Sequence, residues 1–165
     1  MKLVMIKVVV LSDSHTSSLD SLPSKILDEL SGADWVIHAG DFTEDRLVKE
    51  LKAHGNFKGV HGNMDSPSVK ALLPETELFE LGGFLVGVCH PAEGGPPIRI
   101  ESRIRERFGS VNIIVYGHTH KPKKEVREGI LYFNPGSATG AWPAPYASYG
   151  ILEIREAVEA KIVRL

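Results

Sequence analysis

Five short segments of this 165-residue chain each set a metal-binding side chain where an apolar run gives way to a loop: Ser12-Asp13-Ser14-His15, Gly40-Asp41, Gly62-Asn63-Met64-Asp65, Cys89-His90 and Gly117-His118-Thr119-His120. Their dispersal narrows the choice of fold. A structural zinc knot recruits closely spaced ligand pairs, whereas an open α/β scaffold collects single ligands from the carboxyl ends of many strands. The chain is therefore expected to gather strand ends that lie far apart in sequence.

The apolar runs agree with that expectation. Residues 3–11 form a β-branched run; Lys7 interrupts it and no Ala-x-Ala-like site follows, so it reads as a buried first strand rather than a secretion signal. Asp20 or Ser21 is expected to cap an amphipathic helix over residues 22–30, ended by Gly32. Trp35 to His38 reads as a short strand. Thr43 reads as the N-cap of a helix with Leu47, Val48 and Leu51 on one stripe, and Phe57 to His61 as a third strand. This βαβαβ order predicts a parallel sheet.

The second half changes texture. Glu77 to Leu81 and Phe84 to Cys89 flank Gly82-Gly83 as a hairpin, and a Gly/Pro-rich loop over residues 91–97 leads to a helix over residues 98–108. Asn112 to Tyr116 is a strand, Lys123 to Val126 and Ile130 to Phe133 a second hairpin, and Tyr149 to Ile154 with Val158 to Val163 a final strand pair. The prediction is an α/β fold of two stacked mixed β-sheets flanked by helices, a single domain over residues 1–165.

Charge and cysteine content exclude some classes of function. A net charge of −2 with a pI near 6.4, and Lys and Arg spread along the chain, argues against a nucleic-acid partner. A phosphate substrate would have to be attracted locally, by metal. The single cysteine, Cys89, precludes an intramolecular disulfide and fits a reducing compartment; no run approaches the roughly 18 apolar residues of a membrane span. The expected location is the cytoplasm.

Asp13 and Asp41 offer hard anionic oxygens, His15, His90, His118 and His120 imidazole nitrogens, and Asn63 a neutral amide oxygen. A mixed O/N set without thiolate suits Mn²⁺, Fe²⁺, Ni²⁺ or Zn²⁺ better than Ca²⁺ or Mg²⁺. Two such ions roughly 3.5–4 Å apart need a shared carboxylate to offset their repulsion, and Asp41 is the natural bridge.

In order, Asp13-Ser14-His15, Gly40-Asp41, Gly62-Asn63-Met64-Asp65, His90, Gly117-His118-Thr119-His120 and Asn134-Pro135-Gly136-Ser137 closely resemble the motifs of the calcineurin-like metallophosphoesterase superfamily. Its small single-domain phosphodiesterases, to which vacuolar sorting protein 29 is related, are the nearest match. The resemblance implies that Asp13, His15, Asp41 and His120 hold one divalent transition metal ion and Asp41, Asn63, His90 and His118 a second, with Mn²⁺ the first expectation. It further implies Asp41, Asn63 and His118 as catalytic residues and hydrolysis of a small phosphodiester by a metal-bridging hydroxide. The alternative is a catalytically idle metal-binding scaffold for a protein partner.

The chain departs from the family pattern in three places. Met64 stands where many members have a histidine that serves the leaving group, so aryl esters with good leaving groups are the expected substrates. His90-Pro91-Ala92 replaces a His-Gly-His run, so only His90 transfers. The stretch Ala138 to Ser148 carries Trp142 and Tyr146 where a basic residue is common; Trp142, Pro143, Pro145 and Tyr146 would form a substrate wall, a packed loop or the contact of a homodimer or higher homo-oligomer.

Other residues read as structural. His38 is expected to be a buried packing or supporting residue, His54 a helix end, His61 a strand end and Cys89 inert core. Asp65 would orient a neighbour or cap a turn. Arg99, Arg103, Arg105 and Arg107 read as a solvated helix face.

Overall fold

Strict alternation along the first strand decides the layering. In β1 (Ile6–Leu11), Val8 and Val10 point one way and Val9 and Leu11 the other, and all four are fully buried, so both faces of this strand are covered. A computed structural model describes residues 4–92 and 99–165. The remaining elements are α1 (Ser24–Ser31), β2 (Trp35–His38), α2 (Asp45–His54), β3 (Phe57–Gly59), α3 (Pro67–Leu72), β4 (Thr76–Leu81), β5 (Phe84–Cys89), α4 (Ile100–Arg105), β6 (Ile113–Tyr116), β7 (Lys123–Arg127), β8 (Ile130–Asn134), β9 (Ser148–Ile154) and β10 (Val158–Arg164).

They make two five-stranded mixed sheets. The first runs β10-β9-β1-β2-β3, with β1, β2 and β3 parallel and β9 and β10 antiparallel; the second runs β4-β5-β6-β8-β7, parallel at its centre and antiparallel at both edges. Val8, Val10, Ile37 and Leu152 of the first sheet meet Val86, Val88, Ile113, Val115 and Phe133 of the second, a dry layer that stacks the sheets. Val9, Leu11, Val36 and Ile151 instead pack on Ile26 and Leu30 of α1, Leu47, Val48 and Leu51 of α2, and Val69 of α3. On the far side, Ile114 and Tyr116 pack on Ile100 and Ile104 of α4. The expected α/β sandwich is the observed fold.

Local differences have physical causes. α1 begins at Ser24 after Pro23 with no side-chain cap, because Leu19–Ser21 is already spent in a 3-10 turn closed by Leu22 N–H on the Leu19 carbonyl. Thr43 does not cap α2. Its φ is 91° and its amide donates to Asp65, so the helix starts at Asp45 after Glu44. The short α3, which hydrophobic periodicity does not reveal, is set by Ser66 as N-cap and Pro67 at the first helical position. Most of the 91–97 loop and the start of the helix expected from residue 98 lie outside the described residues; the helix itself spans Ile100–Arg105, and Arg105 turns back to donate to the Phe108 and Gly109 carbonyls rather than facing solvent alone.

Candidate metal centre

The parallel strands β1, β2, β3, β5 and β6 all stop at the same end of the sandwich, and the loops that follow carry the seven ligand candidates: Asp13 and His15 after β1, Asp41 after β2, Asn63 after β3, His90 after β5, His118 and His120 after β6. Eight described non-glycine residues have positive φ, and five of them are Asp13, His15, Asp41, His118 and His120. Left-handed backbone is costly for residues with a Cβ and persists where the surroundings over-determine it, which is characteristic of functional loops.

Four of these side chains converge tightly. One ligand atom from each of Asp13, His15, Asp41 and His120 lies within 4.8 Å of every other. His120 Nε2 is 3.4 Å from both Asp13 Oδ1 and His15 Nε2. The remaining candidates form an adjoining group. His90 Nε2 is 3.0 Å from Asn63 Oδ1 and 3.4 Å from Asp41 Oδ2, and the His90 and His118 rings meet edge to face at 5.3 Å. Asp41 belongs to both groups: its Oδ2 is 3.6 Å from His15 Nε2 on one side, while its Oδ1 is occupied by the Met64 amide at 2.8 Å.

Hydrogen bonds fix which imidazole nitrogen is available. Nδ1–H of His90 donates to the Ala39 carbonyl at 2.8 Å, and Nδ1–H of His120 to the Ala141 carbonyl at 2.9 Å, so in each ring Nε2 is the nitrogen turned toward the carboxylates. A backbone carbonyl on the distal nitrogen is the usual arrangement behind a metal-binding histidine. The donor set fits divalent cations in a second respect. Asp13 and Asp41 are 0% and 2% exposed, and among the described residues no lysine or arginine lies within ion-pair range of either; imidazoles are their ionisable neighbours. Two buried carboxylates in such company call for positive charge.

The same field acts on the histidines. Burial works against a charge on His90, yet Asp41 and Asp13 hold its pKa above the ordinary imidazole value. His120 is raised by its bond to Asp13, against burial. His118 goes the other way, lowered by burial and by His90. Asp41 stays below the usual carboxylate range: burial opposes this, and His90 together with the Met64 amide overrides it.

A ring of supporting residues holds the loops in register. Asp65, 5% exposed, accepts from three amides: Gly62 at 2.7 Å, Asp41 at 3.0 Å and Thr43 at 2.8 Å. It is thus a clasp between two ligand loops, the orienting role foreseen as one of its two readings. His38 is wholly buried and its pKa is held down to about 3, chiefly by burial and then by His90. Its Nδ1 accepts from the Gly40 amide at 3.1 Å, so Nε2–H donates to Ser14 Oγ at 2.9 Å, while the ring stacks on Phe42 at 3.6 Å. Ser137 Oγ donates to the Asp13 carbonyl at 2.7 Å and Thr139 Oγ1 to the Ser14 carbonyl at 2.7 Å. Sequence reading did not assign these bonds. A Cβ on Gly62 would lie 2.1 Å from Asp41 Oδ1, and one on Gly117 2.0 Å from Ser12 Oγ, which explains glycine beside each ligand.

Other candidates sit at the margin. Met64 is 60% and Trp142 90% exposed on this face, and Tyr146 carries the Arg164 guanidinium over its ring at 4.4 Å instead of facing the centre. Cys89 is fully buried, His54 Nε2 donates to the Leu30 carbonyl at 2.9 Å, and His61 is placed by its amide on the Pro74 carbonyl.

Comparison with known proteins agrees with this arrangement. Residues 6–157 match the sequence profile of the calcineurin-like phosphoesterase superfamily domain. A probable metallophosphoesterase of Methanocaldococcus jannaschii is 33% identical over 156 residues, 93% of this chain and 79% of the relative. Phosphodiesterase YfcE of Escherichia coli is 29% identical over 181 aligned positions, covering 90% and 88% of the two chains. The crystal structure of Entamoeba histolytica Vps29 complexed with Zn²⁺ superposes with a TM-score of 0.74 at 27% identity, over 96% of this chain and 99% of that one. With the ordered motifs, the two stacked sheets and the carboxylate–imidazole cluster at their shared end, these matches make the chain a member of the calcineurin-like phosphoesterase superfamily.

Proposed function

We propose that the chain is a binuclear metal-dependent phosphodiesterase acting on a small phosphodiester in the cytoplasm. The observation that carries the reading is Asp41: one buried carboxylate oxygen stands 3.6 Å from His15 Nε2 and 3.4 Å from His90 Nε2, between two separate imidazole groups. Asp13, His15, Asp41 and His120 would hold one ion, and Asp41, Asn63, His90 and His118 the other, with Mn²⁺ the first expectation and Ni²⁺, Fe²⁺ or Zn²⁺ also suited to a set of three oxygen-bearing and four imidazole residues. Such a pair supplies an acidified water and neutralises charge developing on the phosphoryl oxygens.

The rest is the work of the chain. The Ala39 and Ala141 carbonyls keep His90 and His120 in the tautomer that presents Nε2. The Met64 amide steers Asp41 so that one oxygen is committed and the other is shared. Asn63 and His118, which with His15 are the donors not fully buried, lie where they can meet substrate as well. Met64 offers no proton to a departing alkoxide, so the enzyme acts best on esters whose leaving group is a stable anion, such as a phenolate. No helix among the described residues is long and apolar enough to cross a membrane.

The decisive experiment is hydrolysis of bis(p-nitrophenyl) phosphate by metal-stripped protein with Mn²⁺, Ni²⁺, Zn²⁺ or Mg²⁺ restored, beside p-nitrophenyl phosphate as the matched monoester. Metal-dependent release of p-nitrophenolate, preferred from the diester and lost in Asp41→Asn, is the expected result. Two ions bound per chain with no turnover under any metal would overturn it in favour of the scaffold reading, which the likeness to Vps29 and the exposed Met64 and Trp142 beside the centre support.

A further inference from the structure

A cavity of about 440 Å³ is lined in part by two loops that also serve the candidate centre. The loop after β6 places His118 and His120 in the centre and Thr119 and Lys121 on the cavity. Ala141, whose carbonyl holds His120, is followed two residues later by Pro143, which closes the cavity on that side. Centre and cavity are thus built on the same two loops.

The cavity is cationic in a chain that is not. Arg99, Lys121 and Lys123 line it against one carboxylate, Glu101, although the chain as a whole carries −2. Glu101 is already committed: it is 6% exposed, pairs with Lys123 and accepts the Tyr116 hydroxyl at 3.1 Å. Lys123 is committed too, with a second carboxylate, Glu125, at 3.1 Å. The Arg99 guanidinium and the Lys121 ammonium have no hydrogen-bond or ion-pair partner among the described residues. One planar fork and one point charge, both unspent, match a phosphate dianion better than a carboxylate.

We infer that this cavity takes a second phosphoryl group on the substrate, so that the favoured substrate is a phosphodiester one arm of which ends in a phosphate monoester. The inference rests on the phosphodiesterase reading above and narrows it. Glu101 and Tyr116 form the floor and hold Lys123 in place; Arg99 and Lys121 at the rim grip the phosphate while the diester sits on the centre.

The test compares two esters that lose the same p-nitrophenolate: thymidine 5′-(p-nitrophenyl phosphate) with and without a 3′-phosphate. The expected result is a kcat/KM about tenfold higher for the 3′-phosphorylated ester, the size of one or two charge-assisted contacts at a wet rim. That ratio falls to near unity in the Arg99→Ala, Lys121→Ala double variant and persists in Lys121→Arg. A binding readout separates this from catalysis: in calorimetry on the Mn²⁺-loaded protein, thymidine 3′,5′-bisphosphate binds more tightly than thymidine 5′-monophosphate, and the double variant abolishes the difference. Equal hydrolysis of both esters, with equal binding of both nucleotides, overturns the inference and leaves the diesterase intact. A bisphosphate preference that vanishes in the double variant, without hydrolysis of either ester, upholds the cavity and removes the diesterase. Inorganic phosphate that saturates the cavity as tightly as the bisphosphate overturns the substrate arm in favour of a free-anion site.

Discussion

An apolar groove and the strand-end face of this molecule differ in their chemistry, and the groove has the poorer of the two. Where the edge strands β7 and β10 approach one another, a groove of about 680 Å³ runs over Phe84, Ile113, Val126, Leu131 and Val158, flanked by lysines and glutamates. It holds no histidine and no buried carboxylate, and the nearby positive φ of Glu128 belongs to an ordinary hairpin turn with Gly129. The strand-end face instead concentrates buried Ser12, Asp13, Ser14, His38, Asp41, Asp65, His90 and His120 together with five of the strained residues. Volume reflects how two sheet edges happen to splay. Strain combined with buried ionisable groups is costly, and a fold tolerates it where the arrangement is used.

That contrast can be broken by substitution. The largest effect is expected at Asp41: Asp41→Asn should lower metal-supported diester hydrolysis by more than the roughly 100-fold typical of a residue that merely orients a ligand, with far-ultraviolet circular dichroism unchanged. Asp65→Asn comes next. The amide group would turn an NH₂ toward amides that now find an acceptor, so hydrolysis and metal affinity should fall about 10- to 100-fold, read by kcat/KM and by metal titration. A smaller loss there than in a Val126 variant would dissolve the distinction between the two regions.

Glu101→Gln sharpens the comparison through pH. Burial tends to raise the Glu101 carboxyl, but the Lys123 bond outweighs it and holds the pKa below the ordinary value. A depressed folded pKa contributes stability that is fully present above the unfolded value and disappears as pH falls through the folded one. The variant should therefore be less stable by about 1–3 kcal/mol at pH 7, and the gap in melting temperature should close below about pH 4. A gap independent of pH would show that the pair contributes shape rather than charge. The smallest effect belongs to the groove: Val126, 70% exposed, should accept lysine within about 0.5 kcal/mol and with no change in hydrolysis.

Most of this architecture could be read from the chain because it is written in short periods. β-branched alternation marked the strands, and Gly82-Gly83 fixed one hairpin, with Leu81 opposite Phe84 as the turn requires. The candidate ligand set could be proposed from sequence because each member sits in its own short motif at a strand end. What escaped is long-range. Thr43 looks like a helix cap until Asp65, 22 residues later, takes its amide; nothing near Asp65 announces that it will accept from three loops at once. The ring orientations of His90 and His120 are settled by carbonyls 51 and 21 residues away, which no local pattern encodes. α3 is six residues long, too short for a helical period to declare itself.

The division of the ligand candidates between the sheets has a mechanical consequence. Asp13, His15, Asp41 and Asn63 hang from the first sheet, and His90, His118 and His120 from the second. The sheets share no strand pairing; at this end a direct tie is the His118 amide on the Asp13 carboxylate, at 3.1 Å and across 105 residues of chain. A cation gripped from both sides would close a loop of that length much as a disulfide does, so it would act as a rivet between two plates whose broad contact is a hydrocarbon layer. Chelation should then show itself first as slip between the plates, in faster amide exchange along the β1 and β6 ends, before either sheet loses a strand.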